Sequence, residues 1–242
     1  MKRGCLLLAL IMVFALSAMA NTVTLIYTGP DSNSSGGVYT YPYYLTVANG
    51  PVTTANVPMM CDSFTQEITQ GQTWNATVTP ITSAGAAANI GITLYASAVP
   101  ILNLTNGTTY TAQAAYDAAG LLYLSALGTG PLAGLTGTLA AGEANWAVWN
   151  MFDPGLAGGI SGVSSPYLIS TLDSLDMTAL GDVNSTNIAL LNADGVTVFS
   201  PDGQPNAGPQ EFIGTVPEPA SLLLLGSGLL GLAGVARRRL LR

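Results

Sequence analysis

The chain has 242 residues, a formal net charge of −7 and no histidine. Only 8 % of its residues are charged, against roughly 25 % in an average soluble domain, and every basic residue is terminal: Lys2, Arg3, Arg237, Arg238, Arg239 and Arg242. Between Arg3 and Arg237 nothing can neutralise a phosphate, act as an imidazole base or serve as a Walker lysine, which excludes nucleic acid as a partner, Ser-His-Asp hydrolysis, His-ligated metals and P-loop phosphoryl transfer.

The same distribution leaves every acid from Asp31 to Glu211 without a basic partner in the body. Those acids must be solvated, held by backbone N–H groups or bound to cations. At the N-terminus, Lys2 and Arg3 precede an apolar run from Cys5 to Leu16 and a small-residue exit, Ala18-Met19-Ala20. This is the pattern of a secretory signal peptide over residues 1–20, cut by signal peptidase. Its removal leaves Cys61 as the sole cysteine and rules out an intrachain disulfide.

Residues 21–200 read as the exported domain. Val23 to Tyr27 is β-branched and aromatic, and Gly/Pro/Ser turn signals follow it. Val38 to Val47 carries four tyrosines around Pro42, which fits an edge strand or a bulge. Those tyrosines read first as half-buried strand residues and second as a sugar-binding platform. Pro58 to Phe64 and Gln66 to Val78 read as strand, tight turn at Gln70-Gly71, and strand, with Trp74 in the core.

From Tyr110 to Leu127 the apolar spacing becomes helical, with Thr111 as N-cap and Gly128 as stop. A second helix is predicted over Leu139 to Phe152, with Ala144, Ala147, Val148, Met151 and Phe152 on one face. A third is predicted over Pro166 to Leu175. Ile188 to Phe199 reads as a hairpin turning at Asp194-Gly195, and residues 201–215 as a flexible linker. The order of elements predicts an α+β domain, a mostly antiparallel sheet with two or three helices inserted mid-chain.

Residues 216–242 are a different kind of segment. Pro217-Glu218-Pro219 precedes an uncharged run, Ala220 to Ala236, and then Arg237, Arg238 and Arg239. The run is about 25 Å long as a helix, at the low edge of what crosses a bilayer core of ~30 Å. The basic cluster orients such a transmembrane helix with its C-terminus inside and the body outside. The three parts in this order resemble the PEP-CTERM class of exported bacterial proteins. The resemblance implies that Pro217, Glu218 and Pro219 are recognised by an exosortase, a membrane-embedded transpeptidase that cuts near them and passes the body to the cell surface. It also implies a Gram-negative envelope and a link to exopolysaccharide or biofilm. Prolines on both sides of Glu218 keep the segment extended, as a cutting enzyme requires.

A second, shorter resemblance lies in the body. Met60-Cys61-Asp62-Ser63-Phe64 and Asn145-Trp146-Ala147-Val148-Trp149 resemble the two halves of thioester adhesin domains, in which a strand cysteine joins a helix glutamine. Asn145 stands where the glutamine would be, one methylene shorter. No cofactor is expected. Divalent-cation sites are weighed at Asp173 with Asp176, and at Asp182-x-Asn184-x-Thr186, whose spacing imitates a calcium loop but lacks its glycine at Asn187. A two-carboxylate glycosidase would draw on Asp62, Glu67, Glu143 and Asp153, whose spacing singles out no pair. The expectation is a non-enzymatic surface or matrix protein.

Overall fold

The computed structural model describes residues 22–30, 34–35, 38–81, 90, 93–95, 101–102, 107–132, 134–135, 138–154, 169–202 and 208–216. The signal peptide (1–20), the motif Pro217-Glu218-Pro219, the transmembrane helix (220–236) and Arg237 to Arg239 lie outside these residues. Among the described residues no helix is long and apolar enough to cross a membrane.

Ten strands are described: β1 Thr22–Pro30, β2 Ser34–Ser35, β3 Val38–Tyr39, β4 Tyr43–Asn49, β5 Val52–Cys61, β6 Thr73–Pro80, β7 Ile101–Leu102, β8 Thr109–Tyr110, β9 Val196–Pro201 and β10 Phe212–Thr215. Four helices lie between β8 and β9: α1 Ala112–Leu127, α2 Thr138–Phe152, α3 Ile169–Gly181 and α4 Ser185–Ala193. Six strands close an antiparallel barrel in the order β1-β4-β5-β10-β9-β6. The pairs β2-β3 and β7-β8 form small separate ribbons.

Two apolar clusters follow from the two-residue period of the strands. Val23, Leu25 and Tyr27 of β1, Tyr43, Leu45 and Val47 of β4, and Val57, Met59 and Cys61 of β5 fill one cluster, the barrel interior. Met60, Val198 and Ile213, the alternate residues, belong to a second cluster shared with the helices. Closure removes the unpaired edges that an open sheet of this size would present.

Helix α1 is the centre of the helical layer. Every residue from Ala115 to Ser125 is buried, because α2, α3, α4 and β10 all pack on it. Thr111 Oγ1 accepts from Ala114 N at 3.2 Å, and Gly128 ends the helix with φ 89°. Both ends are where the sequence places them. On α2, Ala144, Ala147, Val148, Met151 and Phe152 do share one face, and it lies in the helical cluster. The opposite face, Trp146 and Trp149, belongs to the barrel cluster.

Five expectations need correction. There are four helices among the described residues, not two or three. The fourth replaces the first arm of the predicted 188–199 hairpin: Asn184 Oδ1 accepts from Thr186 N at 3.0 Å and Asn187 N at 3.1 Å, a cap that starts α4. Gly195 (φ 62°) still turns the chain into β9, but Val196 pairs with Thr215 rather than with the segment before the turn.

Strands β5 and β6 are likewise no hairpin. β5 lies between β4 and β10, and β6 between β1 and β9, while the turn at Gly71 (φ 85°) sits in the loop joining them. The tyrosine-rich strand is broken at Tyr41-Pro42, and β4 beyond it is interior to the closed barrel rather than an edge. Finally, the linker 201–215 contains a barrel strand. Glu211, Phe212 and Ile213 are fully buried, and Phe212 pairs with both Cys61 and Phe199.

Gly214 shows how tightly the interior is filled. A Cβ there would stand 2.9 Å from Met59 Cγ and 3.2 Å from Phe199 Cε2. Gly214→Ala is expected to lower stability by about 1–3 kcal/mol through overpacking, read as a drop in the denaturant midpoint with unchanged m-value.

Candidate functional site

The end of β5 and the start of β10 meet at one mouth of the barrel, under helix α2. Cys61 leads into Asp62, Ser63 and Phe64 there, opposite Gln210 and Glu211. Asn145 ties helix α2 to the end of β5 and to the segment before β4. Its Nδ2 donates to the Cys61 carbonyl and its Oδ1 accepts from Tyr41 N, each at 2.8 Å. The structure therefore does bring Cys61 and Asn145 into contact, through the cysteine's backbone.

The sulfur is in a different position from the amide. Cys61 is fully buried, and its thiol contacts the Ser63 carbonyl at 3.0 Å as donor. Burial pushes the Cys61 pKa well up, and the neighbouring Asp62 carboxyl pushes it further. Trp149 Nε1, buried and without an oxygen acceptor, lies beside this sulfur. A protonated, enclosed thiol is a poor nucleophile.

Below the mouth is a pair of carboxyl groups. Asp62 and Glu211 are both fully buried. Glu211 Oε1 accepts from the Tyr116 hydroxyl at 2.6 Å and Oε2 from Leu94 N at 2.9 Å. Asp62 faces Glu211, and among the described residues no other side chain donates to its two oxygens. With no basic side chain available, burial and the Glu211 charge raise the Asp62 pKa well above its ordinary 3.8.

Above the mouth is an open cleft of about 290 Å³. Its walls are aromatic: Tyr27, Tyr39, Tyr43, Phe64 and Trp149. Glu67, Ile68 and Gln210 complete it with Val38. Tyr27 and Tyr43 have ring centroids 6.1 Å apart, and Phe64 meets Trp149 edge-on at 5.0 Å. Gln210 Nε2 donates to the carbonyls of Ser63 (3.3 Å) and Gln66, whereas Oε1 is buried with no partner.

The remaining sequence candidates lie elsewhere. Asp173 and Asp176 both accept from Asn150 Nδ2 at 2.9 Å, buried between α2 and α3. Burial raises the Asp176 pKa. The Asp182-x-Asn184-x-Thr186 spacing is occupied by the α4 cap, with Asn184 Nδ2 and Asn187 Nδ2 both donating to the Asp182 carbonyl. Among the described residues no three His, Cys, Asp or Glu side chains are grouped to hold a metal. Of the four glycosidase candidates, Asp62 is enclosed, Glu67 lines the cleft, Glu143 is half-buried on α2 and Asp153 is exposed beyond it. Sequence reasoning missed Gln210, Glu211 and Phe64 as site residues. The first two lie in a Pro/Gly-rich stretch whose burial has no local signal.

The PEP-CTERM protein-sorting motif matches residues 215–239. The motif marks the chain as an exosortase-processed extracellular protein. Among curated proteins none matches. Among solved structures, the N-terminal thioester domain of a surface protein from Clostridium perfringens aligns with 81 % of this chain and 98 % of its own, at 13 % identity and TM-score 0.43.

The raised acids give a signed pH dependence. A carboxyl whose folded pKa is raised contributes stability below its unfolded value, and that contribution is lost as pH rises through the folded value. Asp62, Asp176 and Asp117 (pushed by burial up to about 6) all act in this direction. The denaturant midpoint is therefore expected to fall as pH rises above about 4, the Asp117 part being lost as pH passes about 6, and Asp62→Asn, which keeps a donor toward Glu211 without a titrating proton, to fall less steeply. A slope in Asp62→Asn equal to that of the parent protein would contradict this origin.

Proposed function

We propose that the chain is a non-enzymatic surface or extracellular-matrix protein, exported and then processed by an exosortase at Pro217-Glu218-Pro219, with an adhesive role tied to the producer's exopolysaccharide. The observation that carries this reading is the sorting motif at residues 215–239, which begins as the folded domain ends with strand β10 at Thr215. The aromatic cleft supports the adhesive part, since a shallow aromatic-walled cleft with few polar groups is a binding feature. The lack of any Lys, Arg or His between Arg3 and Arg237, and the enclosure of Asp62 while Glu67 is exposed in the cleft, argue against catalysis.

A thioester adhesin is the second reading, favoured by the contact between Asn145 and Cys61. Both polar atoms of the Asn145 side chain are engaged by backbone, and the Cys61 thiol is held protonated. Attack of Sγ on the Asn145 carboxamide would expel ammonia, a loss of about 17 Da. Intact mass should show no such loss, and Cys61 should react with a maleimide only after denaturation.

The sorting reading is checked by the termini of protein extracted from the cell surface. Mass spectrometry should find a chain beginning at Asn21 and ending near Pro217–Pro219. Replacing Pro217, Glu218 and Pro219 together by alanine should leave the uncut form in the membrane fraction. Cytoplasmic protein with residues 1–20 intact would overturn the proposal.

A further inference from the structure

The run Asp182-Val183-Asn184-Ser185-Thr186, whose spacing is taken up by the α4 cap, ends in an Asn-x-Ser/Thr tripeptide. On an exported chain that tripeptide is an acceptor for N-linked sugar. The sequence holds five of them, and the fold separates them. Those headed by Asn33, Asn103 and Asn106 have their asparagines outside the described residues. Asn75-Ala76-Thr77 is locked in the barrel: it lies on β6 between β1 and β9, Ala76 is fully buried, and Thr77 Oγ1 donates to Asp202 Oδ1. Leaving the sheet to enter an enzyme's groove would unpair backbone groups on both of its sides. Asn184, Ser185 and Thr186 are instead all exposed, where α3 gives way to α4.

The atoms of Asn184 leave room for a sugar. Its Oδ1 is spent on Thr186 N and Asn187 N, while Nδ2 gives one hydrogen to the Asp182 carbonyl at 3.0 Å. Among the described residues the second Nδ2 hydrogen has no partner. Replacing that hydrogen by a sugar keeps every one of these bonds, and Asn187 Nδ2 holds the Asp182 carbonyl as well, at 2.8 Å. The cap that starts α4 and a glycan on the capping residue are therefore compatible.

We propose that Asn184 carries an N-linked glycan on the exported protein. The donor is an oligosaccharide joined to a lipid through a diphosphate, and the enzyme is a membrane oligosaccharyltransferase acting on the outer side of the inner membrane. Asn184 Nδ2 bonds to the anomeric carbon, and the bond from that carbon to the diphosphate oxygen breaks. The lipid diphosphate leaves with the electron pair, and the displaced amide proton passes to a base of the enzyme. The inference depends on export, which the sorting motif supports, and not on the adhesive role.

The test is mass spectrometry of protein extracted from the cell surface. Trypsin has no site between Arg3 and Arg237, so the chain is cut before aspartate, which frees residues 182–193 between Asp182 and Asp194. That fragment is expected to gain the mass of an oligosaccharide in the parent protein and in Thr186→Ser. Asn184→Asp keeps a capping oxygen, and Thr186→Val keeps the side-chain shape and the backbone N–H; both are expected to lose the gain completely. Unaltered helical dichroism of the two variants verifies that α4 is kept.

An unmodified 182–193 fragment in the parent protein overturns the proposal. So does a gain that persists in Asn184→Asp, which places the sugar on a hydroxyl, or in Thr186→Val. The N-terminal fragment of the same digest separates this proposal from the sorting one. A surface chain that starts at Asn21 with 182–193 unmodified sinks the glycan alone, and cytoplasmic protein with residues 1–20 intact sinks both.

Discussion

One carboxamide, Asn145, holds the two layers of this domain in register. It reaches from α2 to the Cys61 carbonyl on β5 and to Tyr41 N before β4, joining segments 84 and 104 residues away in sequence. Both of its partners are backbone groups in the buried interior, where an unpaired donor or acceptor costs about 1–3 kcal/mol. The bond pair also sets the azimuth of α2. With Asn145 fixed on the barrel, Trp146 and Trp149 close the barrel mouth, while Ala144, Ala147 and Val148 turn to the helical layer. The floor and one wall of the aromatic cleft follow from that rotation.

The second constraint is what the body lacks. Acids placed in a protein interior are ordinarily matched with Arg or Lys, and here none exists between Arg3 and Arg237. The molecule uses hydrogen bonds and protons instead. Glu211 receives a tyrosine hydroxyl and a backbone N–H, Asp173 and Asp176 share the Asn150 amide, and Asp117 accepts from Gln113 at 3.0 Å. Asp62, enclosed beside Glu211, completes the set with a pKa raised by burial. The result is an interior whose acids are met by hydrogen-bond donors rather than by basic side chains.

Much of this was legible in the sequence, and the failures have physical causes. The caps Thr111 and Gly128, the α2 face and the burial of Trp74 are local or strictly periodic, so pattern reading finds them. Strand partners are not local. Gly71 turns the chain as predicted, yet the strands on either side of it pair with β1, β4, β9 and β10, because a closed barrel satisfies every edge in a way no single turn announces. The 188–193 segment was misread for the opposite reason. Its continuous apolar run, Ile188 to Leu191, fits a buried strand as well as a helix, and the decisive residue, Asn184, lies before it as a cap. The resemblance sets Cys61 against Asn145, and their contact runs through the Cys61 carbonyl, because a motif does not say which atoms of each residue face the other.

Strand β10 is four residues long and completes the barrel between β5 and β9. It is also the final strand before the sorting motif, and its contacts reach back to Met60 and Cys61. Because residues 212–215 are the neighbour of both β5 and β9, the barrel cannot close until the whole domain is present, up to the residue at which the sorting motif begins.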